Sequence, residues 1–134
     1  MAVAPGITIG PAALLLHSDR EVQRRTIDAS EIDAEIDRLD RAIERTRRDI
    51  ENNRAKATAS LGEIVARIFD AHLLILEDEP TFDQIRMAIA DEQVSADFSL
   101  WRTLTSIARS FSAQKDDLFR ERAQDVRDVC MRLL

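Results

Sequence analysis

An all-α fold, an antiparallel helical bundle with a long helix hairpin and shorter helices, is predicted by three features of the sequence. Its 134 residues include abundant charge, no Tyr, one Trp, three Gly and three Pro, a profile of long helices with few strand or turn signals. Apolar residues recur at three- and four-residue spacing through most of the chain, the period of one helix face. Two of the three glycines and two of the three prolines fall before residue 12, so the chain breakers gather at one end. This is one domain's length, enough to bury roughly two-thirds of the unfolded surface.

Residues 1–16 form an extended N-terminal arm. Ile7-Thr8-Ile9 is β-branched and reads as a short strand between the turn signals Pro5-Gly6 and Gly10-Pro11. No second convincing strand follows, and a lone strand leaves its backbone groups unpaired. The arm therefore packs irregularly or pairs with something outside the chain. Residues 17–29 are a polar, mixed-charge linker containing His17. The helical part spans residues 30–134.

Ser30 is the expected cap of the first helix. Ile32, Ile36, Leu39, Ile43 and Ile50, with Thr46 and Asn53, follow a heptad-like spacing. Arginines and acids interleave on its other faces, as on a solvated helix. Ser60 and Glu63 have the S-x-x-E spacing of a capping box, marking a second helix to about Glu77. That helix carries one stripe of Ile64, Ile68, Ala71 and Ile75, and a broader one of Leu61, Val65, Phe69, His72, Leu73 and Leu76. Such a helix is buried on two sides or exposes an apolar patch. Glu77, Asp78 and Glu79 oppose the negative end of its dipole, and Pro80 suits the first position of a third helix to about Ala90. Ser95 caps a fourth, about 96–113, with Phe98, Leu100, Trp101, Leu104, Ile107, Ala108 and Phe111 apolar. A fifth runs from about Asp116, its stripe being Leu118, Phe119, Arg122, Val126, Val129 and Leu133.

The net charge of −6 argues against nucleic acid, which requires a basic surface. Residues 61–100 hold nine acids against two bases, Arg67 and Arg86. This segment fits a solvated acidic surface or a docking face for a basic partner. Cys130 is the single cysteine, so no internal disulfide forms, and a reducing, cytoplasmic setting is consistent. The apolar run Ala12–Leu16 lacks a basic region before it and is no signal peptide. No window approaches the ~20 apolar residues of a membrane span.

Catalytic signatures are absent: no phosphate-binding glycine loop and no metal-binding histidine pair. Asp117/Glu121 and Asp125/Asp128 could gather carboxylates around a metal, but an ion-paired surface is the simpler reading, and no metal ligands are assigned. His72 reads as a core-edge histidine without a nucleophile beside it.

Three segments carry a resemblance to a known family. Ala4-Pro5-Gly6-Ile7-Thr8-Ile9-Gly10-Pro11-Ala12 is similar to an opening S-P-G-x-A-x-G-x-A. Ile68-Phe69-Asp70-Ala71-His72-Leu73-Leu74-Ile75-Leu76-Glu77-Asp78 resembles I-F-x-x-H-x-x-x-L-E-D. Arg120-Glu121-Arg122-Ala123-Gln124-Asp125-Val126-Arg127-Asp128-Val129 resembles K-E-R-A-A-D-V-R-D-I. All three are motifs of the N-terminal region of Enzyme I, the phosphoenolpyruvate–protein phosphotransferase of bacterial phosphotransferase systems.

The resemblance implies a helical domain inserted into a phosphohistidine α/β domain, docking HPr, a small phosphocarrier protein. It implies that phosphoryl groups pass from phosphoenolpyruvate to an Enzyme I histidine and then to HPr. That histidine belongs to a G-G-x-x-S-H loop that neither His17 nor His72 matches, so no catalytic residue is expected here. The chain reads as part of a longer enzyme whose sheet would complete the arm. Mg2+ is expected only in that enzyme's phosphoenolpyruvate-binding domain, and no cofactor in this chain. The implied carrier surface lies mainly on the second and third helices, at Glu63, Ile64, Arg67, Ala71, His72, Leu74, Ile75, Asp78 and Glu79, with Phe111 added. Ile64 stands where an acid is common, Arg67 where a small residue is common, and Pro80-Thr81 where Glu-Leu stands. These departures bear on which carrier is recognised. The alternative is a structural coiled-coil module joined through Ile32, Ile36, Leu39 and Ile43.

Overall fold

The computed structural model describes residues 21–134; the arm, its Ile7–Ile9 strand and His17 lie outside the described residues. A 3-10 turn, Ala29–Glu31, leads into α1 (Ile32–Leu61). Then come α2 (Glu63–Leu76), α3 (Glu79–Glu92), α4 (Ala96–Ser112) and α5 (Asp117–Leu133). Short connections make α1 and α2, α3 and α4, and α4 and α5 neighbours, whereas α2 packs on α1 and α5 and barely touches α3. The α1–α2 hairpin and the α4–α5 hairpin are the two most extensive packings, and α3 bridges them.

The first cap differs from expectation. Asp28, rather than Ser30, ends the linker: its N–H donates to the Glu31 carboxylate at 2.9 Å, and the Glu31 N–H donates to the Asp28 carbonyl at 2.9 Å. Ser30 lies inside the turn. From there α1 runs for 30 residues, about 45 Å at 1.5 Å per residue. Its stripe is consumed inside the chain: Leu39, Ile43, Thr46 and Ile50 are buried, with Ile32 and Ile36 packed against the same core. The seam needed for a coiled coil is therefore already occupied.

The Ser60–Glu63 box does not form. Ser60 belongs to the last turn of α1, and the break falls at Gly62, whose φ of 89° and ψ of 177° end α1 and begin α2. That conformation is nearly glycine-only, so one residue sets the corner. Arg54 closes the hairpin by donating to the Asp70 carboxylate and, at 3.4 Å, to Glu63.

Glu79 is the first residue of α3 and Pro80 the second, with Asp78 at the cap. The Asp78 carbonyl accepts from the N–H groups of Thr81 and Phe82 at 3.1 and 3.3 Å, and its carboxylate accepts from the Thr81 hydroxyl at 2.9 Å. Phe82, Ile85 and Ile89 are its buried face. The linker contributes more than a polar connection. Ile27 is buried, its N–H donating to the Gln93 carbonyl at 2.9 Å, while Ser95 N–H donates to the Arg25 carbonyl at 2.9 Å. The resulting antiparallel bridge, Thr26 with Val94, is the only β pairing among the described residues.

Ser95 stands at the cap of α4, yet its hydroxyl makes no cap bond and is buried without a partner. Phe98, Leu100, Leu104 and Ala108 are the inner face of this helix. Asp116 caps α5 by accepting from Leu118 N–H at 2.9 Å. Only the later part of the predicted α5 stripe is core: Ala123, Val126, Val129, Cys130 and Leu133 are buried, while Leu118, Phe119 and Arg122 are exposed. Burial pushes the Cys130 thiol up to about 11, so it stays protonated and acts as a small apolar core residue. No described helix is long and apolar enough to cross a membrane.

Candidate functional site

The apolar circumference of α2 resolves into two faces. Ala66, His72 and Leu76 point into the bundle, with Phe69 and Leu73 packed beside them. On the other side Ile64 is 80 %, Ile68 57 % and Leu74 62 % exposed. Leu61, just before the Gly62 corner, is exposed as well. Ile64 and Ile68, one turn apart, share an outward face of α2, and Leu74 projects about 120° around the helix from Ile68. Scattered single apolar residues are ordinary on a surface, but three large ones on the solvent side of one short helix are not.

Leu74 borders a groove of about 510 Å³ between the α2–α3 junction and the α4–α5 hairpin. Leu74, Ile75, Asp78 and Thr81 form one wall. Leu104, Ile107, Phe111, Leu118, Phe119 and Val126 form the other, with Glu121, Arg122 and Asp125 at its edge. Phe111 and Phe119 stack with ring centroids 5.9 Å apart and planes at 29°, a favourable offset geometry. That stack explains the exposure of Leu118 and Phe119: both line the groove instead of filling the core.

Of the residues expected to form one surface, Glu63, Ile64, Arg67 and Leu74 are exposed, and Ala71 is half-buried on the same helix. Ile75, Asp78 and Phe111 line the groove. Glu79 is exposed at the start of α3, 3.8 Å from Arg86. Arg86 is held mainly by Asp40, at 2.8 Å, and Asp83, at 2.9 Å. His72 is the exception. At 4 % exposure it lies inside, so it supports the face from below and presents nothing to a partner.

The His72 imidazole faces α5. Its Nε2 lies 3.7 Å from Asp125 Oδ1 and 3.9 Å from Asp128 Oδ2, and neither ring nitrogen has a hydrogen-bond partner. Burial, outweighing the two carboxylates, lowers its pKa, and burial raises that of Asp125 despite the nearby imidazole. Neutral imidazole is the favoured form.

Leu104, Ile107, Leu118, Phe119, Arg122 and Asp125 were missed as site residues. The sequence held a partial signal in Leu118 and Phe119, two large apolar residues in the first turn of a helix whose interior stripe begins one turn later. Pairing them with Leu74 and Ile75 requires knowing how α5 lies on α2.

Residues 1–122 match the family described as "PEP-utilising enzyme, N-terminal". The phosphoenolpyruvate-protein phosphotransferase of Enterococcus faecalis is 35 % identical over 135 residues, covering all of this chain and 23 % of that protein. The Bacillus subtilis protein of the same name is 34 % identical over 133 residues, covering 99 % of this chain and again 23 % of the relative. The chain thus spans about a quarter of the length of these relatives. A solution NMR structure of an Enzyme I protein superposes with a TM-score of 0.79 and 30 % identity, over 84 % of this chain and 45 % of that one. With the family match extending from residue 1 through α4 and into the start of α5, the chain belongs to the N-terminal family of PEP-utilising enzymes.

Proposed function

We propose that this chain is the carrier-docking helical domain of a phosphoenolpyruvate–protein phosphotransferase, and that its partner is an HPr-type phosphocarrier. The supporting observation is the exposed apolar side of α2, Ile64 and Ile68 on one face and Leu74 at the groove, with the carboxylates of Glu63, Asp78 and Glu79 on the same helix and the junction after it. An apolar centre within an acidic rim suits a partner that offers an apolar patch ringed by basic side chains. The apolar centre supplies affinity, at roughly 25 cal/mol per Å² removed from water. The carboxylates supply steering and register.

In this reading the domain performs no bond chemistry. It holds the carrier so that the carrier's histidine meets a phosphohistidine carried elsewhere in the longer, cytoplasmic enzyme, turning a bimolecular encounter into a positioned one. His72 is unsuited to carrying the phosphoryl group itself, because a buried imidazole offers no room for a phosphate or for in-line approach. Residues 1–16 are assigned to the α/β part of that enzyme, 17–29 to a linker and 30–134 to the docking domain.

Calorimetric titration with an HPr-type carrier of the same organism is the test. A one-to-one complex is expected, weakening as salt screens the acidic rim. Leu74→Asp should reduce affinity at least tenfold without changing thermal stability, since Leu74 is exposed. If no HPr-type carrier of the organism binds, the proposal is wrong.

A further inference from the structure

We propose that His72, Asp125 and Asp128 form a binding site for a transition-metal dication of the zinc, cobalt or manganese class, joining α2 to α5. One ligand atom from each residue lies within 4.8 Å of the other two. The decisive feature is His72. Its side chain is buried, neither nitrogen has a partner, and Nε2 is the atom directed at both carboxylates, 3.7 and 3.9 Å away. A buried polar group without a partner costs free energy, and a coordinated cation between the three groups would remove that cost.

The geometry suits such an ion. Bonds of about 2.0–2.2 Å in a tetrahedron place donors about 3.3–3.5 Å apart. His72 Nε2 therefore needs to approach each carboxylate oxygen by only a few tenths of an ångström, while the carboxylates, within 4.8 Å of each other, close in by side-chain rotation. Three protein ligands leave a fourth position for water, on the side where Asp125 borders the groove. Asp128 is already oriented: its Oδ1 accepts from Gln124 Nε2 at 2.9 Å, leaving Oδ2 for the ion. This is the outer support that metal ligands commonly have. An imidazole with two carboxylates favours zinc, cobalt or manganese over magnesium, which prefers an all-oxygen shell. Arg122 and Arg132 are the nearby cations. Their charge opposes a second ion and favours single occupancy.

Asp125 borders the proposed docking groove, but the metal site does not rest on the docking reading, because its ligands are brought together by contacts within the bundle and its test uses no carrier. The 134-residue chain, stripped with chelator, would be titrated with Zn2+ and with Co2+. One-to-one binding is expected, with visible Co2+ bands of low-symmetry coordination. Saturation at about a hundred times Kd should raise the melting temperature by roughly 5–10 °C. Asp128→Asn should weaken binding at least tenfold, and Gln124→Ala by about tenfold through misplacement of Asp128. Asp128 and Gln124 both reach the surface, so these variants test the site without opening the core. No saturable binding by either metal would overturn the proposal. Equal binding by Asp128→Asn, or an equal response to Mg2+, would also overturn it, leaving only a diffuse acidic surface.

Discussion

Replacing Gly62 by alanine isolates the corner that turns α1 into α2. The added Cβ meets no atom within 4 Å, so steric collision contributes nothing. The penalty is confined to the backbone, held at φ 89° and ψ 177°. A side chain in that region costs about 1–3 kcal/mol. Loss of glycine's freedom in the unfolded chain returns about 0.4–1 kcal/mol. A net loss of about 0.5–2 kcal/mol remains, lowering the melting temperature by roughly 2–8 °C for a chain of this size. Urea denaturation with an unchanged m-value would show that the loss is one of native stability. Ser60→Ala is the internal control. Ser60 is exposed in the last turn of α1, so its removal should stay within about 0.5 kcal/mol, whereas a capping serine would cost about 1 kcal/mol. An unchanged or more stable Gly62→Ala, or a Ser60→Ala as costly as a lost cap, would refute this account of the junction.

Two further outcomes follow from the backbone and the ion pairs. Gln93 ends α3 in the left-handed region, at φ 52° and ψ 54°, where glycine is preferred. Gln93→Gly should therefore stabilise the chain by about 0.5–1 kcal/mol, measured by denaturation; a loss of stability would show that the side chain matters more than the conformation. The Glu92 carboxylate accepts from Arg102 at 2.6 and 3.0 Å, which holds its pKa below the ordinary 4.5. Its contribution is present above that ordinary value and is lost as pH falls through the lower folded one. Glu92→Gln should thus flatten the stability profile between about pH 5 and 3 while leaving its slope above pH 6 unchanged. An identical acid limb in both proteins would exclude the pair as a contributor.

The helix pattern was legible because each helix writes its own period locally. Ile32 to Ile50 in α1, and Phe82, Ile85 and Ile89 in α3, are spaced by the face they bury. Caps were less legible. Ser60 and Glu63 have capping spacing, but a glycine between them can break the helix later, and only its positive φ reveals which happened. Pairing between distant segments was not legible at all. The groove joins Leu74 to Phe119, and the His72 cluster joins α2 to Asp125 and Asp128. Both depend on how α5 packs against α2, which no local spacing encodes. The two stripes of α2 were visible, yet which one faces outward depends on where α1 and α5 lie. His72 shows the consequence: among surface candidates in the sequence, it belongs to the inner face.

The docking proposal meets its most direct test in amide shift mapping of the isotope-labelled chain titrated with an HPr-type carrier. The account predicts perturbations concentrated on the exposed side of α2, at Glu63, Ile64, Ile68 and Leu74, continuing through Asp78 and Glu79 to Phe111 and Phe119. Perturbations centred instead on the α1 arginines, or no perturbation at saturating carrier, would contradict it.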